Sequence, residues 1–335
     1  MEKLRFDGRV AIVTGAGRGL GRAHAVLLAS RGARVVVNDI VSPQGGKGVT
    51  ASPADEVVQE IINAGGQAVA SCDSVATPEG AVSIVKTAIE AYGRVDILIH
   101  NAGICDWAPF SDLDYDQFQR MRQVHYDGPW LLTHAAWPHM VRQNYGRILF
   151  ITSHVGLAGM PNCAHYGSAK WASAGLSRML SFEGGSADIK SNALGVLAYT
   201  RLLVKGFFTP EAAEDPPGAG APEDHSLLIQ NERWWSRNVR PDQVAPVVAW
   251  LVHERCHLNG DILDTGAGHT FRHILSTTEG YVKADLTLED VDEHMSEILD
   301  DRKTNVWSSV DEALQNRLKK LQLAGVDPMD TVYPS

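Results

Sequence analysis

The run Val10-Ala11-Ile12-Val13-Thr14-Gly15-Ala16-Gly17-Arg18-Gly19-Leu20-Gly21 passes from apolar, largely β-branched residues into glycines at alternate positions. An unbroken apolar run bounded this way reads as a strand buried on both faces, and the glycines predict a tight turn into a following helix. Such a turn brings backbone N–H groups against a pyrophosphate at the positive end of a helix dipole. About twenty residues on, a second run, Arg34-Val35-Val36-Val37-Asn38, ends in Asp39, where a carboxylate can bind the ribose hydroxyls of an adenosine. A dinucleotide site is therefore expected at Gly15, Arg18, Gly19, Leu20, Gly21 and Asp39. Asp39 favours NAD, because its charge repels a 2′-phosphate. Arg18 pulls the other way, since a guanidinium inside the loop can reach that phosphate.

The same rhythm continues outward. Short apolar runs at 10–13, 34–38, 67–70, 95–99, 147–152, 189–194 and 261–264 alternate with longer segments of helical period. This predicts an α/β fold: a doubly wound parallel sheet of about seven strands with helices on both faces, ending near Gly268. Two segments break the pattern. Residues 201–240 carry Phe207-Phe208, a Pro/Gly-rich stretch at 215–222 and Trp234-Trp235, and read as a lid inserted over a site. Residues 269–335 hold acidic, helix-capable runs and read as an extension packing on the core or a neighbouring subunit.

Composition narrows the function. The chain has 335 residues, 44% hydrophobic and 21% charged, with a formal net charge of −10, which disfavours nucleic acid and anionic membranes as partners and leaves a small molecule. The four cysteines are widely separated with no Cys-x-x-Cys pair, so neither a disulfide framework nor a thiolate metal site is expected. No signal-peptide core and no run of eighteen apolar residues is present, and a cytoplasmic protein is expected.

Tyr166-Gly167-Ser168-Ala169-Lys170 carries the chemistry, with Ser153 thirteen residues upstream. On a helix, the i,i+4 spacing puts the phenol and the ammonium on one face. A phenol titrates near ~10, too high for a general base at neutral pH, and a nearby ammonium is the means of lowering it. The spacing alone is a weak signal and takes its weight from the ordered elements around it.

Together these elements resemble the short-chain dehydrogenase/reductase family over residues 5–268: the glycine loop, Asp39, Asp73, Asn101-Ala102-Gly103, Ser153 and Tyr166-x-x-x-Lys170 occur in its order. The resemblance implies that Asp73 bonds the adenine beside Ser74, that Asn101, Ala102 and Gly103 shape the cofactor floor, and that Thr200 meets the nicotinamide carboxamide. It implies that Ser153 holds the substrate oxygen, Tyr166 exchanges its proton, and Lys170 binds the nicotinamide ribose while lowering the tyrosine. Val124-His125, Gln143-Asn144-Tyr145-Gly146-Arg147 and Gly266-Ala267-Gly268 are similar to the dehydrogenase domain of the peroxisomal type 2 multifunctional enzymes, which act on (3R)-hydroxyacyl-CoA and 17β-hydroxysteroids. Three departures stand out. His125 replaces an asparagine that holds a relay water in the family, Gly195 replaces the usual proline, and the 201–240 insertion is longer.

The resulting expectation is an NAD-dependent enzyme interconverting a secondary alcohol and a ketone, as a homodimer or homotetramer built on long helices near 115–143 and 163–184. Ser153, Tyr166, Lys170 and His125 are the expected catalytic residues, and a hydroxyacyl-CoA the expected substrate class. A hydroxysteroid or other polycyclic alcohol is the alternative, and a catalytically silent NAD(H)-binding regulator is the rival from another class. Phe207, Phe208, Trp234, Trp235, Met160 and Pro161 are expected around an apolar pocket. Arg201, Lys205, Arg233, Arg237 and Arg240 serve either CoA phosphates or a solvated lid surface. His253-Glu254-Arg255-Cys256-His257 matches a zinc-protease pattern but falls at a helix end without a third ligand, and no metal is expected.

Overall fold

In the computed structural model, which describes residues 3–40, 52–207 and 232–325, Val10–Thr14 (β1) is the pivot of the sheet. It pairs in parallel with Arg34–Asn38 (β2) on one side and Ile97–His100 (β4) on the other, Val13 standing between Val37 and Ile99. Gln67–Ser71 (β3), Gly146–Thr152 (β5), Ile189–Leu197 (β6) and Ile262–Gly266 (β7) extend it, all in parallel, in the order β3-β2-β1-β4-β5-β6-β7. An eighth strand, His269–His273 (β8), completes the edge beyond the seven expected. Ala267 and Gly268 both take left-handed backbone, at φ 50° and 79°, which suits a two-residue hairpin turn back along β7.

Both faces of the sheet are covered, and β1 shows how. Ala11 and Val13 enter one core with Ala25 and Leu28 of Gly19–Ser30 (α1), Val57 and Ile61 of Pro53–Asn63 (α2), and Val244 and Val248. Their neighbours Val10 and Ile12 enter the other, with Ile84 and Val85 of Pro78–Tyr92 (α3) and with Leu132 and Met140. Alternate side chains of one strand thus serve opposite layers, which is why these strands show no polar alternation.

The long helix expected over 115–143 is interrupted. Tyr115–Arg122 (α4) runs into a π-helical turn at Gln123–Asp127 before Gly128–Gln143 (α5) continues. The following helices are His154–Ala158 (α6), Ala164–Glu183 (α7), Arg201–Phe207 (α8), Glu232–Asn238 (α9) and Pro241–Leu251 (α10). The order of strands reverses direction at β1 and β4, so their carboxyl ends flank the crevice where ligands bind in open α/β sheets.

Two units are distinguished, Met1–Arg272 and His273–Ser335. In the second, Thr277–Thr278 (β9) pairs antiparallel with Thr304–Asn305 (β10), and the unit also holds the helices Leu288–Glu293 (α11), Met295–Ile298 (α12) and Val310–Leu323 (α13). Lys320 Nζ reaches Glu279 Oε2 at 2.5 Å and Tyr281 stacks on His294.

Candidate active site

The glycine loop sits at the reversal point. Gly15 and Gly19 take left-handed backbone, at φ 61° and 55°, and a Cβ on Gly15 would lie 2.7 Å from the Cα of Ala102. The loop is pinned from beneath by Asn101, whose amide donates to the Thr14 carbonyl at 2.9 Å and the Gly15 carbonyl at 3.1 Å. The Thr14 hydroxyl oxygen accepts from the N–H groups of Asn101 and Ala102, at 3.0 Å each. Asp39 follows β2 directly and accepts from the Gly17 N–H at 2.8 Å. Burial raises the Asp39 carboxyl, while its backbone bonds and the charges of Arg201 and Arg18 act the other way. Asp73 accepts from Ser71 Oγ at 3.1 Å and from Ser83 Oγ at 2.9 Å, and the Ser74 hydroxyl accepts from the Ala76 N–H.

A cleft of about 890 Å³ opens along this loop, lined by Arg18, Gly19, Arg22, Thr200 and Arg201 among others. It lies on the phosphate side of the expected site, at the glycine loop, and Tyr166 is not among its lining residues. The tight glycine turn, the cleft at the α1 N-terminus and the Asp39 carboxylate fit a dinucleotide. Arg201, whose charge acts on Asp39, was not expected in this role. Its sequence neighbour Thr200 was, but only the fold shows that α8 starts beside Gly19.

The catalytic candidates gather at the other side of the crevice. Ser153 follows β5 as the N-cap of α6, its side chain accepting from the Val155 N–H, and its hydroxyl acts on the Tyr166 phenol in the direction that lowers it. Tyr166 and Lys170 lie one turn apart on α7, with Lys170 Nζ 5.8 Å from the Tyr166 ring centroid. Lys170 is 5% exposed, donates to the Ile151 carbonyl at 2.7 Å, and is lowered by burial to about 8. Burial raises Tyr166 well above an ordinary phenol; the Ser153 hydroxyl opposes this, and Cys105 and Cys163 add to it. The expected lowering of the phenol by Lys170 is not found: desolvation of the phenolate dominates, and the ammonium is committed to the Ile151 carbonyl.

His125 lies in the π-helical turn, 3% exposed, with its ring edge-on to Tyr166. Its Nε2 approaches the Ile104 carbonyl at 2.7 Å and the Ile104 N–H at 3.2 Å. The closer contact assigns the proton to Nε2, and Nδ1 is then a buried acceptor without a partner. Burial, reinforced by the Lys170 charge, lowers His125 and keeps it neutral. A void of about 10 Å³ is lined by His125, Lys170, Ser173 and His100, close to the volume needed for one water. Gly103 lies against this imidazole: a Cβ there would come 2.8 Å from its Cε1.

The loop after β4 carries residues that the motifs did not single out. Asp106 Oδ1 lies 2.5 Å from His165 Nε2, the Ala108 N–H donates to the Asn162 carbonyl at 3.0 Å, and Trp107 stands 6.5 Å from Tyr166 between ring centroids. Cys163 is buried and raised to about 11, so it is no activated nucleophile.

Other expectations resolve locally. His253 has both ring nitrogens engaged by backbone, Nε2 with the Arg5 carbonyl and Nδ1 with the Arg255 N–H, and is a structural residue. Gly195 leaves room for the Asp264 carboxylate, which pairs with His154 Nδ1 at 3.3 Å. Trp130 on α5 and Trp171 on α7 are 45% and 40% exposed. Of the expected lid, Trp234 and Trp235 pack edge-to-face on α9. Phe208 and the Pro/Gly stretch at 215–222 lie outside the described residues, as do the side chains of Phe207 and Lys205.

The short chain dehydrogenase family model matches residues 9–201. The peroxisomal multifunctional enzyme type 2 of Mus musculus is 41% identical over 265 residues, which is 79% of this chain and 32% of the mouse protein. A putative short-chain type dehydrogenase/reductase of Mycobacterium tuberculosis is 39% identical over 81% of this chain and 87% of its own. The solved structure of the full-length peroxisomal multifunctional enzyme type 2 from Drosophila melanogaster superposes with a TM-score of 0.72 at 31% identity, over 96% of this chain and 50% of that one. The chain thus spans about a third to a half of the multifunctional relatives it matches.

Proposed function

This chain belongs to the short chain dehydrogenase family, and we propose that it is an NAD-dependent enzyme interconverting a secondary alcohol and its ketone on a bulky, largely apolar substrate. The observation that carries this reading is Tyr166 with Lys170 one helical turn away on α7, His125 edge-on to its ring and the Ser153 hydroxyl acting on its phenol. Glycine-loop N–H groups, Asp39, Asp73 and Thr200 would hold the dinucleotide, which when bound supplies the hydride acceptor at its nicotinamide.

In oxidation the ionised Tyr166 takes the alcohol proton while Ser153 orients the alcohol oxygen. With that acceptor bound, the carbinol carbon would lose its hydride and become the ketone carbon. In reduction the protonated Tyr166 returns its proton to the carbonyl oxygen. Because burial favours the neutral phenol, oxidation needs an exit for its proton. A water in the small void would join Lys170 Nζ to the free acceptor of His125 and serve as that exit.

A hydroxyacyl-CoA is the substrate class we favour, supported by the likeness to the multifunctional enzymes and by the exposed Arg233 and Arg237 on α9. A hydroxysteroid would use the same proton transfer. A homodimer or homotetramer is proposed from the apolar side chains left exposed on α5 and α7, among them Trp130, Val141, Trp171, Met179 and Phe182. No helix among the described residues is long and apolar enough to cross a membrane. We propose a cytoplasmic location, to be tested by fractionation against a peroxisomal marker, since the mouse relative is named peroxisomal.

NADH absorbance followed over a panel of secondary alcohols tests the activity, with Tyr166→Phe as its control. Turnover that survives the substitution would sink the mechanism, and NADH binding without turnover on the panel would favour a regulator.

A further inference from the structure

We propose that Trp107 is the wall that orients the apolar body of the substrate beside Tyr166, and that Asp106 and His165 are positioning residues that hold it there. This rests on the dehydrogenase reading and extends it to substrate selection. The loop between β4 and the turn at Phe110–Asp112 is tied on both sides of residue 107. Asp106 is fastened to His165 and Ala108 to Asn162, and two residues before Asp106, Ile104 is fastened to His125. Two of these anchors belong to the catalytic side of the crevice: His165 directly precedes Tyr166 on α7, and His125 faces the Tyr166 ring. The phenol and the indole are therefore held by adjacent residues of one framework, so their separation of 6.5 Å and tilt of 40° are set together.

His165 itself argues for a purpose beyond filling space. Its side chain is 1% exposed, and while Nε2 meets Asp106, Nδ1 is buried with no partner. An apolar residue would fill that position without an orphaned polar atom, which costs on the order of 1–3 kcal/mol. What the imidazole adds is the bond to Asp106, and what that bond fixes is the neighbouring indole. A tryptophan has only two side-chain rotors and a broad apolar face, which suits it to orient a carbon-rich group attached to the reacting carbinol.

The test uses the full chain with NAD and pairs of secondary alcohols that differ only in the size of the apolar body. For Trp107→Ala, KM for the bulky alcohol should rise by about tenfold or more, with a smaller change for the small alcohol and KM for NAD unchanged. Asp106→Ala should give part of the same shift, and Asp106→Asn, which keeps an acceptor for the imidazole N–H, should restore most of it. His165→Phe removes the bond from the other partner and should alter the bulky-to-small ratio in the same sense. If Asp106 acts through Trp107, the Asp106→Ala/Trp107→Ala double variant is no worse than Trp107→Ala. An unchanged ratio in Trp107→Ala, or losses that add in full in the double variant, overturns the proposal. Absence of turnover by the wild type would defeat the dehydrogenase reading instead. The wall is then judged by thermal shift with the bulky ketone: loss of the shift in Trp107→Ala upholds it, and retention overturns it.

Discussion

The imidazole of His125 stands edge-on to the Tyr166 ring, with centroids 5.2 Å apart and planes at 86°. It stays neutral beside the Lys170 charge and its Nδ1 has no hydrogen-bond partner, so in the proposed proton exit it would offer that lone pair to a water in the void it lines with Lys170. His125→Ala is expected to lower kcat by about 10- to 100-fold with KM for NAD little changed, and His125→Asn to retain more activity than Ala. Steady-state kinetics decide this; an unaltered kcat in His125→Ala would make the residue structural.

Tyr166→Phe is expected to lower kcat by at least about 100-fold in both directions. Because burial raises the phenol, oxidation in the wild type should accelerate as pH rises through the alkaline range, and reduction should not. Paired pH–rate profiles check the sign.

Lys170 links pH to stability. Its folded value of about 8 lies below the ordinary 10.5, so between these limits the unfolded chain binds the extra proton and stability rises with pH. Wild type should therefore gain on Lys170→Met between about pH 8 and 10, by up to a few kcal/mol at ~1.4 kcal/mol per pKa unit. Tyr166, raised from 10, acts with the opposite sign above pH 10. Urea midpoints for the two proteins at several pH values measure the difference, and a flat difference would contradict it.

Asp39→Ala should relax discrimination against NADP, because the carboxylate that repels a 2′-phosphate is removed while Arg18 and Arg201 remain beside it. The ratio of kcat/KM for the two nucleotides reports this. An unchanged ratio would show that Asp39 is not the selector.

Gly195→Ala should destabilise the fold by about 1 kcal/mol, since a Cβ there collides with the Asp264 carboxylate and displaces it from His154. A Tm fall of about 1–2 °C is expected at this chain length, and a neutral substitution would mean that Asp264 moves freely.

Much of this was legible along the chain. The strands of the sheet announce themselves through runs such as Val35-Val36-Val37, because a strand covered on both faces must be apolar throughout. The glycine loop, Asp39 and the Tyr166–Lys170 turn are local patterns whose spacing survives folding. The π-helical turn at Gln123–Asp127 carries no such mark, since every residue in it is acceptable in an α-helix. The Asp106–His165 pair joins residues far apart in the chain, and neither belongs to a motif. The balance at Tyr166 was misjudged for a related reason: helical spacing reveals a neighbouring ammonium but not how deeply the phenol is buried.

The π-helical turn also acts as a phase slip in an otherwise continuous rod. One extra residue within a turn rotates everything beyond it by ~100° about the axis. The stretch before the slip lies along α7, and the stretch after it lies along α3. A single run of helix can thereby present its inner side to two neighbours that stand at different bearings. His125 occupies the slip itself, where the register belongs to neither half.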